Sequence, residues 1–99
     1  MTMFEILTTT GLPVAYSHFK TAQNVPYIVY IGTGQHNLSA DNTYIWGENE
    51  YQIEYYYKEK NEEAEVAIES ALLSAGYQYE KSEDIFIEDR GVFVIYYTI

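Results

Sequence analysis

Cysteine is absent from the 99 residues, which removes disulfides, thiolate nucleophiles and Cys-type zinc sites together and is compatible with an intracellular protein. Positive charge is scarce. Fifteen acids face five bases for a net charge of -10, and Lys20, Lys58, Lys60, Lys81 and Arg90 form no patch along the chain. Because sequence-independent nucleic-acid binding needs bases to neutralise phosphates, this surface should repel nucleic acid. Only His18 and His36 could offer imidazole, and neither has a second His or a carboxylate at a ligand spacing. Ser17 precedes His18, but neighbours in an extended segment point to opposite faces. No calcium-loop spacing occurs, and the GTG of residues 32–34 leads into neither Lys-Ser/Thr nor a helix, so it is not a phosphate loop. Long hydrophobic runs are also missing. The N-terminal MTMFEILTTTG has no basic region followed by an apolar one, so neither a membrane span nor the usual secretion signal is expected. Carboxylate pairs such as Glu83 and Asp84, or Glu48, Glu50 and Glu54, read as solvated surface. No catalytic, cofactor or metal site, and hence no enzyme, is expected.

What is present is enough for one core. Residues 1–99 are about the size of a single domain. Apolar residues make up 47% of the chain, which excludes a disordered polymer. So short a chain has a modest stability margin that oligomerisation would raise. Twelve tyrosines are the main compositional anomaly; a ring with a polar tip suits half-covered strands and interfaces.

Residues 3–10 form an expected short helix burying Met3, Phe4 and Leu7, ended by Gly11 and Pro13. Residues 14–19 read as extended, and PYIVYI, residues 26–31, as a strand covered on both faces or paired inside an oligomer. Residues 32–42, GTGQHNLSADN, read as a long polar loop. A short strand over 43–46 and a turn over 47–50 follow. Residues 51–58 alternate, with Tyr51, Ile53, Tyr55 and Tyr57 on one face. Asn61 caps a helix with acids in its first turn, an apolar stripe through Ile68 and Leu72, and Gly76 as its stop. Leu72 lies on the stripe and Glu69 off it, so Leu72→Ala should destabilise and Glu69→Ala be nearly silent. A hairpin turning at residues 88–91 closes the chain, its second strand VFVIYYTI apolar on both faces. The expected fold is α+β: a mainly antiparallel sheet carrying one main amphipathic helix and a short N-terminal helix.

Taken in order, the pieces Gly11-Leu12-Pro13-Val14-Ala15-Tyr16 with Phe19, Pro26 to Tyr30, and Ala40-Asp41-Asn42 leading to Tyr51 through Tyr56 resemble one known group. The acidic helix with Glu65, Ile68, Glu69 and Leu72, followed by strands carrying Tyr79, Ile87 and Tyr96, extends the likeness over nearly the whole chain. The chain resembles the tail terminator, or tail-to-head joining, proteins of long-tailed phages of Gram-positive bacteria. That resemblance implies a ring of six copies at the head-proximal end of the tail tube, made in the host cytoplasm and ending at the virion's head-tail junction. Its partners would be the major tail tube protein and the head completion or connector protein, with DNA passing through the ring unbound. On this reading Gln35, His36, Asn37, Leu38, Asp41 and Asn42 form a docking loop. Tyr27, Val29, Ile31, Val92, Val94 and Tyr96 form the subunit interface. Two other readings compete: an acidic DNA mimic occupying the basic groove of a host enzyme, which the charge supports, and a Tyr-lined carbohydrate module using Trp46.

Overall fold

The computed structural model describes residues 2–40 and 43–99. Eight elements follow in order: α1 (Met3–Thr8), β1 (Val14–Tyr16), β2 (Tyr27–Ala40), β3 (Thr43–Tyr57), α2 (Glu62–Ser74), β4 (Glu80–Lys81), β5 (Ile85–Ile87) and β6 (Val92–Thr98). They form an α+β fold. The six strands lie in the order β1-β2-β3-β6-β4, with β5 on the same edge of β6 as β4. Every pairing is antiparallel except β1 with β2.

Both helices start where side chains can satisfy orphan amides. Thr2 and Glu5 form a capping box on α1. Asn61 Oδ1 accepts from the amides of Glu63 and Ala64 on α2, and Glu62, Glu63 and Glu65 lie at the positive end of its dipole. At the far end of α2, Gly76 takes φ of 89°. Its amide bonds Leu73 O while that of Tyr77 reaches back to Leu72 O, a Schellman stop that favours glycine.

The helices cover one face of the sheet. Met3 and Leu7 of α1 and Ile68 and Leu72 of α2 pack on Ile28, Ile53, Tyr55, Tyr57, Ile95 and Tyr97. The Tyr51–Tyr57 alternation therefore points as its pattern predicts. Each fully buried aliphatic contributes about 1.5–3 kcal/mol relative to exposure. Phe4, expected inside, is 46% exposed; Ile6 takes its place in the short helix, buried beside Leu7.

Polar chemistry sits at the edge of this core. Glu65 is only 3% exposed, held between Lys81 Nζ at 2.8 Å and Lys60 Nζ at 2.7 Å. The Lys60 contact to Oε2 falls outside hydrogen-bond geometry and acts as an ion pair alone. Lys81 also meets Glu69, which accepts the Tyr97 hydroxyl at 2.8 Å. Lys60 meets Asp84, which accepts from Tyr57. Glu69 is thus not a free surface acid: it satisfies a buried tyrosine and meets Lys81, so Glu69→Ala should lower stability rather than be silent.

The largest departure from the sequence reading lies at residues 32–50. Gly32 to Ala40 is not a loop but the outer part of β2. The expected strand over 43–46, turn over 47–50 and strand over 51–58 are one strand, β3. Gln35 pairs with Asn49, His36 with Glu48, Asn37 with Gly47, Leu38 with Trp46 and Ala40 with Thr43. Backbone hydrogen bonds join this polar stretch into a ladder whatever its side chains, and its sequence shows no apolar alternation to announce it. Asp41 and Asn42 lie outside the described residues.

Candidate functional site

Two features stand apart from the core: the outer ribbon of β2 and β3, and the sheet face away from the helices. β1 ends its pairing at Tyr30 and β6 at Gln52. From Gly34↔Glu50 to Ala40↔Thr43, β2 and β3 pair only with each other among the described residues. At about 3.4 Å per residue this ribbon runs on for about 20 Å, consistent with principal extents of 50 × 26 × 26 Å. A register shift between Gly32 and Gly34 marks where it leaves the sheet.

The face away from the helices is shaped by the β1 to β2 connection. A parallel pair cannot be joined by a tight turn, so the chain must cross over the sheet before returning. Residues 17–26 make that crossing. Phe19 packs edge-on to Tyr27 with ring centroids 5.1 Å apart, and Tyr27 lies 5.1 Å from Tyr56. Between crossover and sheet is a cleft of about 490 Å³, its wall formed by Phe19, Tyr27 and Tyr56 and its polar rim by His18, Lys20 and Arg90. Arg90, in the β5–β6 turn, donates from Nη2 to Tyr27 Oη at 2.6 Å. Its guanidinium carbon lies 5.3 Å from the centre of the Tyr56 ring. The bond to Tyr27 raises the Arg90 pKa further, so the cation is fixed. Burial, with the hydrogen bond that Tyr56 donates to Glu54, pushes the Tyr56 phenol up and keeps it protonated.

Ser17 opens the crossover at φ of 66°, a left-handed conformation unusual for a residue with a side chain. This turn defeats the expectation that Ser17 and His18 point apart: Ser17 Oγ lies 3.2 Å from His18 Nδ1. Among the described residues no group of three His, Cys, Asp or Glu could hold a metal ion. No described helix is long and apolar enough to cross a membrane.

The expected interface set divides. Tyr27, Val29, Val92 and Val94 are 6%, 5%, 4% and 0% exposed and packed within the subunit. Their two-faced apolar pattern reflects, within the single subunit, a sheet covered by helices on one side and by the crossover on the other, with Tyr27 and Val29 at the floor of the cleft. Ile31 at 36% and the half-buried Tyr96 remain accessible. Of the expected docking residues, Gln35, His36, Asn37 and Leu38 fall on the ribbon strand β2. Arg90 and the crossover were missed. Their one sequence signal is a single arginine in a turn of an acid-rich chain. Scanned against models of known protein families the chain matches none, and a search of curated proteins returns no match.

Proposed function

We propose that this chain is a structural subunit that closes into a ring, acting as a phage tail terminator. The ring caps the tail tube, ends its polymerisation and joins the tail to the head connector. The observation that carries the reading is the outer ribbon, residues 34–40 paired to 43–50, which leaves the six-stranded sheet and pairs only with itself among the described residues. A two-stranded ribbon alone is marginal in water. It gains stability by lying on another surface, as an arm reaching a neighbouring subunit or the head and tail partners does. The net charge of -10 suits a lumen through which DNA slides without sticking. Self-repulsion between copies must then be offset by interface contacts or salt.

Native mass measurement, with negative-stain images of the protein mixed with purified tail-tube protein, tests this. A closed ring, free or on the tube end, is expected. A strict monomer at high protein and salt concentration that also leaves tube ends bare sinks the reading.

A further inference from the structure

The chain has five bases, and the fold sorts them into two groups. Lys60 and Lys81 are consumed by Glu65, Glu69 and Asp84 at the edge of the core. Lys20, Lys58 and Arg90 have no carboxylate within ion-pair distance among the described residues. These three, far apart in sequence, flank the same crossover. Lys20 and Arg90 line the cleft over Tyr27 and Tyr56, while Lys58 and Arg90 line an adjoining one of about 280 Å³. In a molecule with three acids for every base, the uncommitted positive charge is thus gathered at one end of one sheet face.

Arg90 is suited to hold an acid there. A guanidinium carries five donor hydrogens in a planar fork, and its bond to Tyr27 Oη uses one. That bond and the Tyr56 ring fix the group in place, so little of its freedom remains to be lost on binding. The walls are aromatic and the rim is cationic, a setting that strengthens a carboxylate contact relative to open water.

We infer that the crossover cleft is a carboxylate seat that receives an acidic segment of a second copy of this chain. Charge complementarity selects that occupant: every copy presents exposed acids such as Glu62, Glu63 and Glu83 to its neighbours. One copy's free bases then meet another's surplus acids, which offsets the repulsion between copies of charge -10. The inference rests on the ring reading and names the contact that would hold the ring.

The test mixes unlabelled and ¹⁵N-labelled full-length protein at low salt, couples lysines to carboxylates with a zero-length carbodiimide, and reads mixed-isotope links by mass spectrometry. Links joining Lys20 or Lys58 of one copy to a carboxylate of another are expected. In parallel, Lys20→Gln with Lys58→Gln, and separately Arg90→Gln, should weaken association about tenfold or more. Both lysines are exposed, so the lysine pair keeps the test valid should Arg90→Gln disturb folding, which a melt would reveal. If the wild type forms rings and the folded variants form them equally well, or if Lys20 and Lys58 link only within one copy, the seat is wrong while the ring stands. A wild type that stays monomeric overturns both.

Discussion

β2 and β3 each pass through two environments, and the contrast separates what makes this protein fold from what it has to spare. Between Tyr27 and Gly32, β2 pairs with β3 and, over Ile28 to Tyr30, with β1; from Gln52 to Tyr56, β3 lies between β2 and β6. There Ile28, Ile53, Tyr55 and Tyr57 are nearly sealed from solvent under the two helices. From Gly34 and Glu50 outward the same strands keep their ladder but, among the described residues, pair with no third strand. Hydrogen bonding is the same in both halves; the core cluster beneath the helices is drawn, among the described residues, from the inner one. Backbone bonds contribute little net free energy because water offers the same partners, so stability should reside almost wholly in the inner half.

The sharpest way to break the inner half is Leu72→Ala. Leu72 is fully buried, and the cavity should cost about 2–5 kcal/mol, a large share of the stability of so small a domain. Leu73→Ala next to it, 56% exposed in the wild type, should stay within about 0.5 kcal/mol. Denaturant melts of the two variants compare them directly, and equal losses would mean the buried face of α2 is misassigned.

A smaller loss is expected from Lys81→Met, which strips the cation shared by Glu65 and Glu69. Lys60 still neutralises Glu65, so the cost should be about 2 kcal/mol, below that of a buried charge left alone. A double-mutant cycle with Glu69→Gln should show coupling, since both act on the same contact.

The same network sets a pH window. The hydrogen bond from Tyr57 and the Lys60 ammonium hold Asp84 below its ordinary 3.8. For Glu69, burial favours the neutral form, but bonds from Lys81 and Tyr97 outweigh it and hold the carboxyl below its ordinary 4.5. Groups with depressed folded values stabilise fully above their unfolded values and lose that contribution as pH falls through the folded ones. Lys60 is raised above 10.5 chiefly by its contact with Glu65. Lys81 is raised as well: burial works against its charge, and the bonds to Glu65 and Glu69 prevail. Their contribution is complete below 10.5 and fades as pH climbs past the raised values. Melting temperature should therefore be flat from about pH 5 to about pH 10 and fall on both sides. With Lys81→Met the alkaline fall should shrink.

The outer half should yield the smallest change in stability. Replacing residues 35–49 by a two-residue hairpin turn should alter unfolding free energy by less than about 1 kcal/mol. Ring assembly or tail joining should nevertheless fail. A shortened protein that still completes infectious particles would remove the arm from the mechanism, and one that unfolds would erase the contrast between the halves.

That contrast also explains what the sequence disclosed. Where a segment has one covered face, the period shows: Tyr51 to Tyr57 alternates, and α2 announces itself through Asn61, its acidic first turn, Ile68, Leu72 and Gly76. The ribbon strands carry glycine and polar residues with no alternation, so from the sequence they were indistinguishable from a loop. Glu65 looked like a solvated first-turn acid because the lysines that bury it come from residues 60 and 81. The Arg90 cleft was invisible for the same reason: its partner Tyr27 is 63 positions away.

The place of β6 has a kinetic consequence. It follows every other described strand in the sequence, yet it lies inside the sheet, with β3 on one edge and β4 and β5 on the other. Until residues 92–98 dock, Tyr55 and Tyr57 have a bare β3 edge beside them, and α2 has only part of its platform. The decisive step in folding is then a long-range one, closing the chain across the whole of α2 to bring β6 onto β3. Loops of that span are slow to close relative to local hairpins. The β2–β3 ladder, joined by adjacent sequence, should form early and wait with one edge open. In that interval a second copy could pair with the edge meant for β6, so at high concentration assembly and misassembly compete for the same strand of β3.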